Sequence, residues 1–245
     1  MVRKSRKSRE EWKIYNNVFD QFTNRLLFNL STQGHFKELS SPIALGKEAN
    51  VFYAEKEDGS PVIVKIYRLE NCNFNKMFSY ITSDPRFLGL ENQKRKIVFS
   101  WVQREYRNLL IARQKIKVPT PIAFKDNVLI MEFIGEEEPA PMLKDLKPKN
   151  PEVFLKKIVK NVKLLISSGL IHGDLSDFNI LNYNEEPVFI DFSQATVITS
   201  QNASELLERD IKNIKKCFLR LVKADFDKIE ADLRKHFNKK LAENL

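Results

Sequence analysis

Apolar positions along the chain change their spacing several times, and each change predicts a different element. Over 12–30 they recur in steps of three and four, which is the spacing of an amphipathic helix. Over 43–67 short β-branched runs alternate with turn residues, and Asp58-Gly59 indicates a hairpin. We therefore expect a helix followed by three antiparallel strands, at 43–46, 50–55 and 61–67.

Helical spacing returns over about 96–114, and further strands are predicted at 122–124 and 128–133. The stretch 69–95 between the third strand and this helix has no clear periodicity. We expect it to be a long loop near the mouth of a cleft, since loops of this length are often functional.

The second half of the chain has its own start and stop signals. Asn150-Pro151 predicts a helix N-terminus, and Gly169 predicts the end of that helix. Two short apolar runs within 180–190 flank a polar turn, and they suit two buried strands. Helical spacing from Leu206 and again from Phe226 predicts two closing helices.

One lysine lies inside an apolar strand, in the run V-I-V-K-I-Y. A buried ammonium group costs free energy unless an anion meets it, so Lys65 needs a partner. In the predicted helix 96–114, Glu105 falls in the middle of the apolar stripe and needs a cation in turn. We expect Lys65 and Glu105 to form a buried ion pair. The alternatives are that Lys65 extends to the surface and that Glu105 lies at the edge of the lobe.

The most specific pattern is H-x-D-x-x-x-x-N followed by an apolar strand that ends in Asp, which is typical of a kinase catalytic loop and metal site. It contains His172, Asp174, Asn179 and Asp191. Asp174 can accept the proton of an attacking hydroxyl, while Asn179 and Asp191 supply the hard oxygen ligands that Mg²⁺ prefers. His172 is expected to hold the backbone. A single Asp or Asn in a loop is usually a turn former, so the prediction depends on the whole pattern.

Two further segments are placed to bind a nucleotide. The turn L-G-K-E-A-N has one glycine, Gly46, and departs from G-x-G-x-x-G. Its N–H groups at 47–49 could still face phosphates, and the alternative is a plain hairpin turn. The segment M-E-F-I-G is an extended hinge between two lobes. We expect the backbone groups of Glu132 and Ile134 to contact the edge of an adenine ring, and Met131 to line the floor of the pocket.

Composition indicates which kind of partner and which cellular compartment to expect. The formal net charge is +9 and the pI is about 9.4, which favours an anionic partner, nucleic acid above all; a merely basic surface is the alternative. Two cysteines without a C-x-x-C indicate neither a disulfide framework nor a zinc site. No apolar run approaches the length of a membrane span, so we expect a cytoplasmic protein without membrane contact.

These patterns predict an α+β, two-lobed, protein-kinase-like fold. The stretch after Asp191 has no A-P-E and no room for a helical subdomain with a peptide groove, so the second lobe is truncated. The expected divisions are a disordered basic arm (1–11), a helical extension (12–40), an N-lobe with a sheet and one helix (41–134) and a C-lobe with the catalytic loop (135–245). The arm could touch RNA or remain a solvated tail.

Over about 30–235 the chain resembles the RIO kinases, in particular an archaeal-like member of the type-one subfamily. The resemblance is carried by G-K-E-A-N-V-F, V-K-I-Y-R, W-V-Q-R-E-Y-R-N-L, H-G-D-L-S-D-F-N-I-L and I-D-F-S-Q-A. Two positions differ from the family pattern. A-L-G-K-E stands where S-T-G-K-E is usual, which removes two hydroxyls from the phosphate turn. H-G-D replaces H-A-D, and we expect that change to be tolerated.

The resemblance implies an atypical serine/threonine-type kinase and ATPase that uses ATP with Mg²⁺, or alternatively Mn²⁺. It implies that Asp174 is the catalytic base, that Lys65 binds phosphate and that Asn179 and Asp191 hold the metal. It also implies an aspartyl-phosphate intermediate on Asp191. The implied partner is the precursor of the small ribosomal subunit and its rRNA.

Other functions remain open at this point. The chain could be a nucleotide-gated clamp for RNA, with turnover that only drives release. Kinase-like subunits of the tRNA-modification machinery share H-G-D-L-x-x-x-N, but they usually continue the metal Asp with F-G-L, where F-S-Q stands here. Antibiotic phosphotransferases share it too, but they need a larger helical substrate lobe. Oligomeric state and physiological substrate are not indicated.

Overall fold

The computed structural model describes residues 19–70, 72–87 and 93–243. The predicted basic arm and the first residues of the predicted N-terminal helix (12–30) lie outside these residues. The helix in this region, α1, runs Gln21–Thr32, and the Asp20 carboxylate caps it by accepting from the Thr23 N–H at 2.9 Å, so the prediction of one continuous helix through 19–20 is wrong. Its apolar face, with Leu26, Leu27 and Leu30, packs against the sheet that follows.

The first lobe is built on a five-stranded antiparallel sheet in the order β1-β2-β3-β5-β4. Its strands are β1 (Leu39–Leu45), β2 (Ala49–Glu55), β3 (Pro61–Tyr67), β4 (Pro121–Lys125) and β5 (Val128–Glu132). The strands lie close to their predicted positions, except that β1 begins four residues before the predicted start at 43. Two short polar turns join β2 to β3, as expected from Asp58-Gly59, and β4 to β5, where Asp126 has φ 49°.

The prediction of a long loop over 69–95 is wrong for the part of this stretch that the structure describes. It forms a helix, α2 (Phe74–Thr82), and a 3₁₀ turn (Pro85–Phe87). Asn73 caps α2 by accepting from the Lys76 N–H at 3.1 Å, and the helix buries Met77 and Ile81. Two buried residues one turn apart are too few to give a recognisable period, so only their packing against the next helix reveals the element.

The long helix of the first lobe, α3, spans Lys94–Ala112, two residues earlier at each end than predicted. It packs against β4 and β5, with Val98, Trp101, Val102 and Leu109 buried. Glu105 lies in the same buried stripe, as the sequence indicates, and is fully inaccessible to solvent. The position of α3 therefore brings one carboxylate against the inner face of the sheet.

The second lobe contains three helices and two small sheets within the described residues. The helices are α4 (Pro151–Ser167), α5 (Ala203–Phe218) and α6 (Phe226–Ala242). The short strands are β6 (Leu170–Ile171), β7 (Ile180–Tyr183), β8 (Glu186–Phe189) and β9 (Thr196–Val197), paired as β6-β9 and β7-β8. Asn150 caps α4 as predicted, by accepting from the Val153 N–H at 3.1 Å.

One apolar cluster connects the two lobes. It includes Leu129 on β5 and Trp101 on α3, and it continues through Phe192 to Phe154 on α4 and Phe218 on α5. Because the same core supports the sheet and the catalytic segment, the cleft between the lobes has a defined geometry. Among the residues that the structure describes, no helix is both long and apolar enough to cross a bilayer.

Candidate active site

The predicted ion pair forms at the centre of the cleft. Side chains alternate across β3, so Val62, Val64 and Ile66 face α1 while Lys65 faces α3. The Lys65 Nζ donates to Glu105 Oε1 at 2.7 Å, and both side chains are almost fully buried. This confirms the pairing inferred from the two buried charges.

A tyrosine completes this pair and was not predicted. The Tyr67 hydroxyl donates to the second carboxylate oxygen, Glu105 Oε2, at 2.5 Å, so both oxygens of the buried carboxylate are satisfied. The signal in the sequence is its spacing: Tyr67 follows Lys65 by two positions on one strand and therefore shares its face. Burial raises the pKa of the Tyr67 hydroxyl, which keeps it a donor.

Asp191 approaches the same ammonium group from the second lobe. It follows β8 with a left-handed backbone, φ 62°, and its Oδ1 lies 3.0 Å from Lys65 Nζ. The Ser193 hydroxyl also donates to Oδ1, at 2.7 Å. Asp191 Oδ2 accepts no hydrogen bond from the described residues, and two-fifths of the side chain is exposed to the cleft. Lys65 thus holds one oxygen of Asp191 and leaves the other available.

The charges in this cluster are set by their neighbours. Burial alone would lower the pKa of Lys65, but attraction to Asp191 and Glu105 outweighs it and raises that pKa. Burial likewise opposes ionisation of Asp191, yet Lys65 and the Ser193 hydroxyl lower its pKa to about 2. For Glu105 burial prevails over Lys65, and its pKa is raised. Asp191 is therefore ionised throughout the physiological range.

The catalytic loop joins β6 to β7 and places Asn179 beside Asp174. The Asn179 Nδ2 donates to the Asp174 carbonyl at 2.8 Å, which orients the amide and leaves its Oδ1 without a donor among the described residues. The Asn179 carbonyl accepts from the Ile190 N–H at 3.0 Å, which ties the loop to the end of β8. The oxygens of Asn179 and Asp191 are thus both presented to the cleft.

His172 holds the loop backbone, as expected from its position. Its Nδ1 accepts from the Asp174 N–H at 3.3 Å, so its Nε2 carries the hydrogen and donates to the Ile190 carbonyl at 3.0 Å. Burial lowers the pKa of His172 to about 4, and the ring is therefore neutral. Both nitrogens are occupied by backbone groups, which leaves none for proton transfer.

Asp210 on α5 was missed, and it anchors the same loop. Its two carboxylate oxygens accept from the Gly173 N–H at 2.7 Å and the Leu175 N–H at 2.8 Å. Burial raises its pKa to about 7 although both amides favour the charged form. The signal was present in the sequence, because Asp210 lies among Leu207, Ile211 and other buried residues of the helix. The rule that identified Glu105 therefore applies here too.

Side chains of α3 pin the segment that follows Asp191. The Asn108 Nδ2 donates to the carbonyls of Phe192 and Ala195, at 3.0 and 2.7 Å. Arg104 is fully buried, pairs with Asp84 after α2 at 3.1 Å, and reaches the Ser193 carbonyl at 3.5 Å. The helix that carries Glu105 thus also fixes the backbone on the far side of the cleft.

Two adjoining cavities form the cleft. An apolar one of about 230 Å³ lies against the hinge, and its lining includes Met131, Glu132 and Ile134. A polar one of about 580 Å³ lies under the first turn, and its lining includes Lys47 and Glu48. Both share Lys65, Asn179 and Asp191, so a ligand with an apolar end and a charged end fits across them. Every predicted site residue except Glu105, which lies behind Lys65, lines one of these cavities.

The hinge differs from its prediction in detail. The Glu132 N–H donates to the Thr120 carbonyl at 2.8 Å, and the Ile134 carbonyl accepts from the Ala140 N–H at 2.9 Å. Those two groups are therefore unavailable to an adenine edge. Of the predicted backbone groups, the Glu132 carbonyl and the Ile134 N–H remain, and the latter donates to no described residue. Met131 lines the apolar cavity.

The single glycine of the first turn allows a close approach. The Gly46 N–H donates to the Ala49 carbonyl at 3.0 Å, and a Cβ at Gly46 would lie 2.8 Å from that carbonyl oxygen. The N–H groups of Lys47 and Glu48 donate to no described residue, which leaves them for a ligand in the polar cavity. This arrangement suits an anion, as predicted, although the turn lacks further glycines.

The two-lobed fold and this cleft define a protein-kinase-like protein. A family model described as the RIO domain matches residues 50–231. Among curated proteins, the RIO-type serine/threonine-protein kinase Rio1 of Methanocaldococcus jannaschii is 41% identical over 222 residues, which cover 90% of this chain and 76% of that protein. The Rio1 of Haloferax volcanii is 38% identical over 216 residues, covering 87% and 74%. The chain therefore belongs to the family of RIO-type serine/threonine-protein kinases, in its Rio1 branch.

Solved structures agree on the fold. The Rio2 kinase of Chaetomium thermophilum, in a complex with ADP/Mg²⁺ and phosphoaspartate, superimposes with a TM-score of 0.62 at 20% identity, covering 89% of this chain and 74% of that one. The predicted family and the predicted kinase-like fold are thus confirmed.

Removing the central cation tests the buried pair. Lys65→Met leaves Glu105 ionised and unpaired, so the free energy of unfolding at pH 7 should fall by about 3–5 kcal/mol. Without Lys65 the pKa of Glu105 rises further. Protonation then relieves the buried charge, and the loss should shrink as the pH falls from 7 toward the unfolded-state value of about 4.3. Denaturant unfolding of the wild type and the variant at several pH values in this interval measures the difference in free energy of unfolding.

The matched control is Lys65→Met/Glu105→Gln, which removes both charges and should regain much of the lost stability. If the loss of unfolding free energy is the same at every pH, and is as large in the double variant as in Lys65→Met, then the buried ion pair does not stabilise the cleft.

Proposed function

We propose that the chain transfers the γ-phosphate of ATP, with Mg²⁺, to a protein hydroxyl or to water. The observation that carries the proposal is that Lys65 lies within hydrogen-bond distance of both Glu105 and Asp191. In the kinase mechanism such a lysine binds the α- and β-phosphates and is held by the helix glutamate. The apolar cavity at the hinge would take the adenine, and the polar cavity the triphosphate.

The donors present fit magnesium. Mg²⁺ commonly uses one or two protein carboxylates, with phosphate oxygens and water completing its octahedron, and Mn²⁺ accepts the same oxygen ligands. Asp191 Oδ2 and Asn179 Oδ1 each accept no hydrogen bond from the described residues, and the low pKa of Asp191 keeps its carboxylate charged. When bound there, the ion neutralises charge on the phosphates.

Asp174 is the proposed general base. Its carboxylate lies in the polar cavity that also contains Asn179 and Asp191, where the hydroxyl of a substrate could approach. Burial raises the pKa of Asp174, with Arg209 opposing the shift, which brings its basicity closer to the working range of a base. A positioned base of this kind is worth about 10²–10⁴ in rate.

We further propose that Asp191 is transiently phosphorylated. The Rio2 structure above contains a phosphoaspartate, which supports this chemistry in a protein of the same fold. In this chain the Oδ2 of Asp191 is the oxygen left open, while Lys65 and Ser193 hold its Oδ1. Attack by Oδ2 on the γ-phosphorus breaks its bond to the bridging oxygen, so that ADP leaves and the acyl phosphate forms. Attack by water on that phosphorus, with its proton passing to Asp174, then breaks the bond to Oδ2, releases inorganic phosphate and regenerates the Asp191 carboxylate.

Replacing the base tests the reaction. Asp174→Asn should lower Mg²⁺-dependent ATP turnover by at least about 100-fold, because the amide cannot accept the proton of the nucleophile. Release of labelled phosphate and of ADP measures it. The control is Asp177→Asn in the same loop, whose side chain instead faces Lys147 at 3.6 Å and should have little effect. Unchanged turnover in Asp174→Asn would exclude this role.

The acyl phosphate can be trapped directly. After incubation with labelled ATP and Mg²⁺, wild type should carry label that hydroxylamine removes, since hydroxylamine cleaves acyl phosphates but not phosphoserine. Peptide mass spectrometry should place it on Asp191, and Asp191→Asn should carry none. Hydroxylamine-resistant label on serine or threonine alone would contradict the intermediate.

A second candidate function, an RNA clamp in maturation of the small ribosomal subunit, is favoured by one surface. A groove of about 670 Å³ lies between α4 and α6, and it shares no lining residue with the cleft. Lysines 156, 160, 163 and 223 border it. Among the described residues Lys163 pairs with Asp232, whereas the other three have no ion pair. We propose that these lysines contact phosphates of the precursor rRNA.

Salt dependence tests the clamp. Binding of a single-stranded RNA should weaken with salt, and Lys156→Glu/Lys160→Glu should reduce the slope of log K against log salt by about 0.7 for each lost phosphate contact. Fluorescence anisotropy with and without ATP measures both quantities. Lys115→Glu/Lys125→Glu, which makes the same change of charge at two exposed positions of the first lobe, is the charge-matched control. A slope that the groove variant leaves unaltered would rule out this surface.

A further inference from the structure

The carboxylate of Asp174 is held by one oxygen only. Its Oδ2 accepts from the Gln194 Nε2 at 3.0 Å and from the Asn179 Nδ2 at 3.4 Å. Its Oδ1 accepts no hydrogen bond from the described residues. The two oxygens of this proposed base are therefore inequivalent: one is occupied by amide donors, and the other is left open beside the polar cavity.

The orientation of the Gln194 amide follows from its other neighbour. An Arg209 Nη donates to the Gln194 Oε1 at 3.0 Å. A guanidinium can only donate, so the carbonyl oxygen of Gln194 must face Arg209 and the amino group must face Asp174. Arg209 thus selects the one amide orientation in which Gln194 is a donor to the carboxylate.

The fold brings Gln194 into place through contacts that no local pattern shows. Its side chain is nine-tenths buried and lines the polar cavity. The backbone carbonyl oxygen of Gln194 packs closely on the catalytic loop: a Cβ at Gly173, a residue with φ +77°, would lie 3.1 Å from it. Arg209 and Asp210 are consecutive on α5, so one helix holds the loop backbone directly and the Asp174 side chain through Gln194.

We propose that Gln194 is a positioning residue that, oriented by Arg209, fixes Asp174 so that its Oδ1 receives the proton of the nucleophile; this rests on the phosphotransfer proposed above. In that step the hydroxyl oxygen bonds to the γ-phosphorus and its proton passes to Asp174 Oδ1. The bond from the γ-phosphorus to the bridging oxygen breaks, and its electron pair leaves with ADP. Gln194 itself touches neither substrate nor nucleotide.

The first test replaces the donor with a side chain of similar volume. Gln194→Met should lower kcat about tenfold, the worth of one hydrogen bond to a charged group, while the affinity for Mg²⁺-ADP stays unchanged. Loss of the donor also disfavours the charged carboxylate and raises its pKa. The acid limb of the kcat–pH profile should therefore move up by about one pH unit, a change of that same tenfold size. A merely structural role would lower stability without moving this limb.

Four further variants, including Arg209→Met alone, test the proposal more closely. Gln194→Glu keeps the shape but presents an acceptor to Asp174, so it should lose more activity than Gln194→Met. If Arg209 acts through Gln194, the loss in Gln194→Met/Arg209→Met should be well below the product of the two single losses. Gln201→Met, an exposed glutamine just before α5, is the matched control and should behave as wild type. Multiplicative losses in the double variant would overturn the coupling.

A readout that needs no turnover separates this inference from the proposed function. Carboxyl ¹³C NMR, with the Asp174 signal assigned by its loss in Asp174→Asn, should show Asp174 titrating about one unit higher in Gln194→Met. If wild type hydrolyses no ATP but this shift is present, the positioning stands and the phosphotransfer function fails. If wild type is active and neither the shift nor the kcat change occurs, Gln194 does not position Asp174.

Discussion

A cation buried between two lobes is the constraint on which the cleft depends. Lys65 lies on an apolar strand, where its charge would be costly if it were unpaired, and its two anionic partners come from different parts of the fold. Glu105 is delivered by α3 and Asp191 by the end of β8. Each contact removes part of the desolvation cost of the others, so the sheet, the helix and the catalytic segment have to meet at one point.

In the second lobe, the catalytic loop has little regular structure, so its backbone amides need hydrogen-bond partners from elsewhere in the fold. Its backbone amides at Gly173 and Leu175 would be unsatisfied without Asp210, and its histidine is held by groups on both sides. The helix that supplies Asp210 also supplies Arg209, and hence the orientation of Gln194. The geometry of the loop is therefore set largely by α5, although none of the motif residues lies on that helix.

What could be predicted from the sequence depended on whether a signal was local. Strand alternation, helical stripes and the catalytic motif gave the lobes, the Lys65–Glu105 pair and the Asp191 position. Tyr67 and Asp210 did carry a local signal, a shared strand face and a buried helix position respectively, but the partners that give them their roles lie far along the chain. Gln194 carried no such signal, because its role depends only on contacts between separate segments. The same limit applies to α2, whose two buried residues are too few for a pattern, and to the hinge. There the loss of two backbone groups to Thr120 and Ala140 depends on tertiary hydrogen bonds.

The contacts that α3 makes on both sides of the cleft have a consequence for inhibition. Glu105 and Asn108 lie one turn apart on one rigid helix, and they bind Lys65 and the backbone after Asp191 respectively. A compound that displaced this helix outward would have to break the buried ion pair and, at the same time, the two buried hydrogen bonds that the Asn108 amide donates. Small molecules against this enzyme should therefore compete for the cleft itself, because the helix-out state that some drugs exploit would be sparsely populated here.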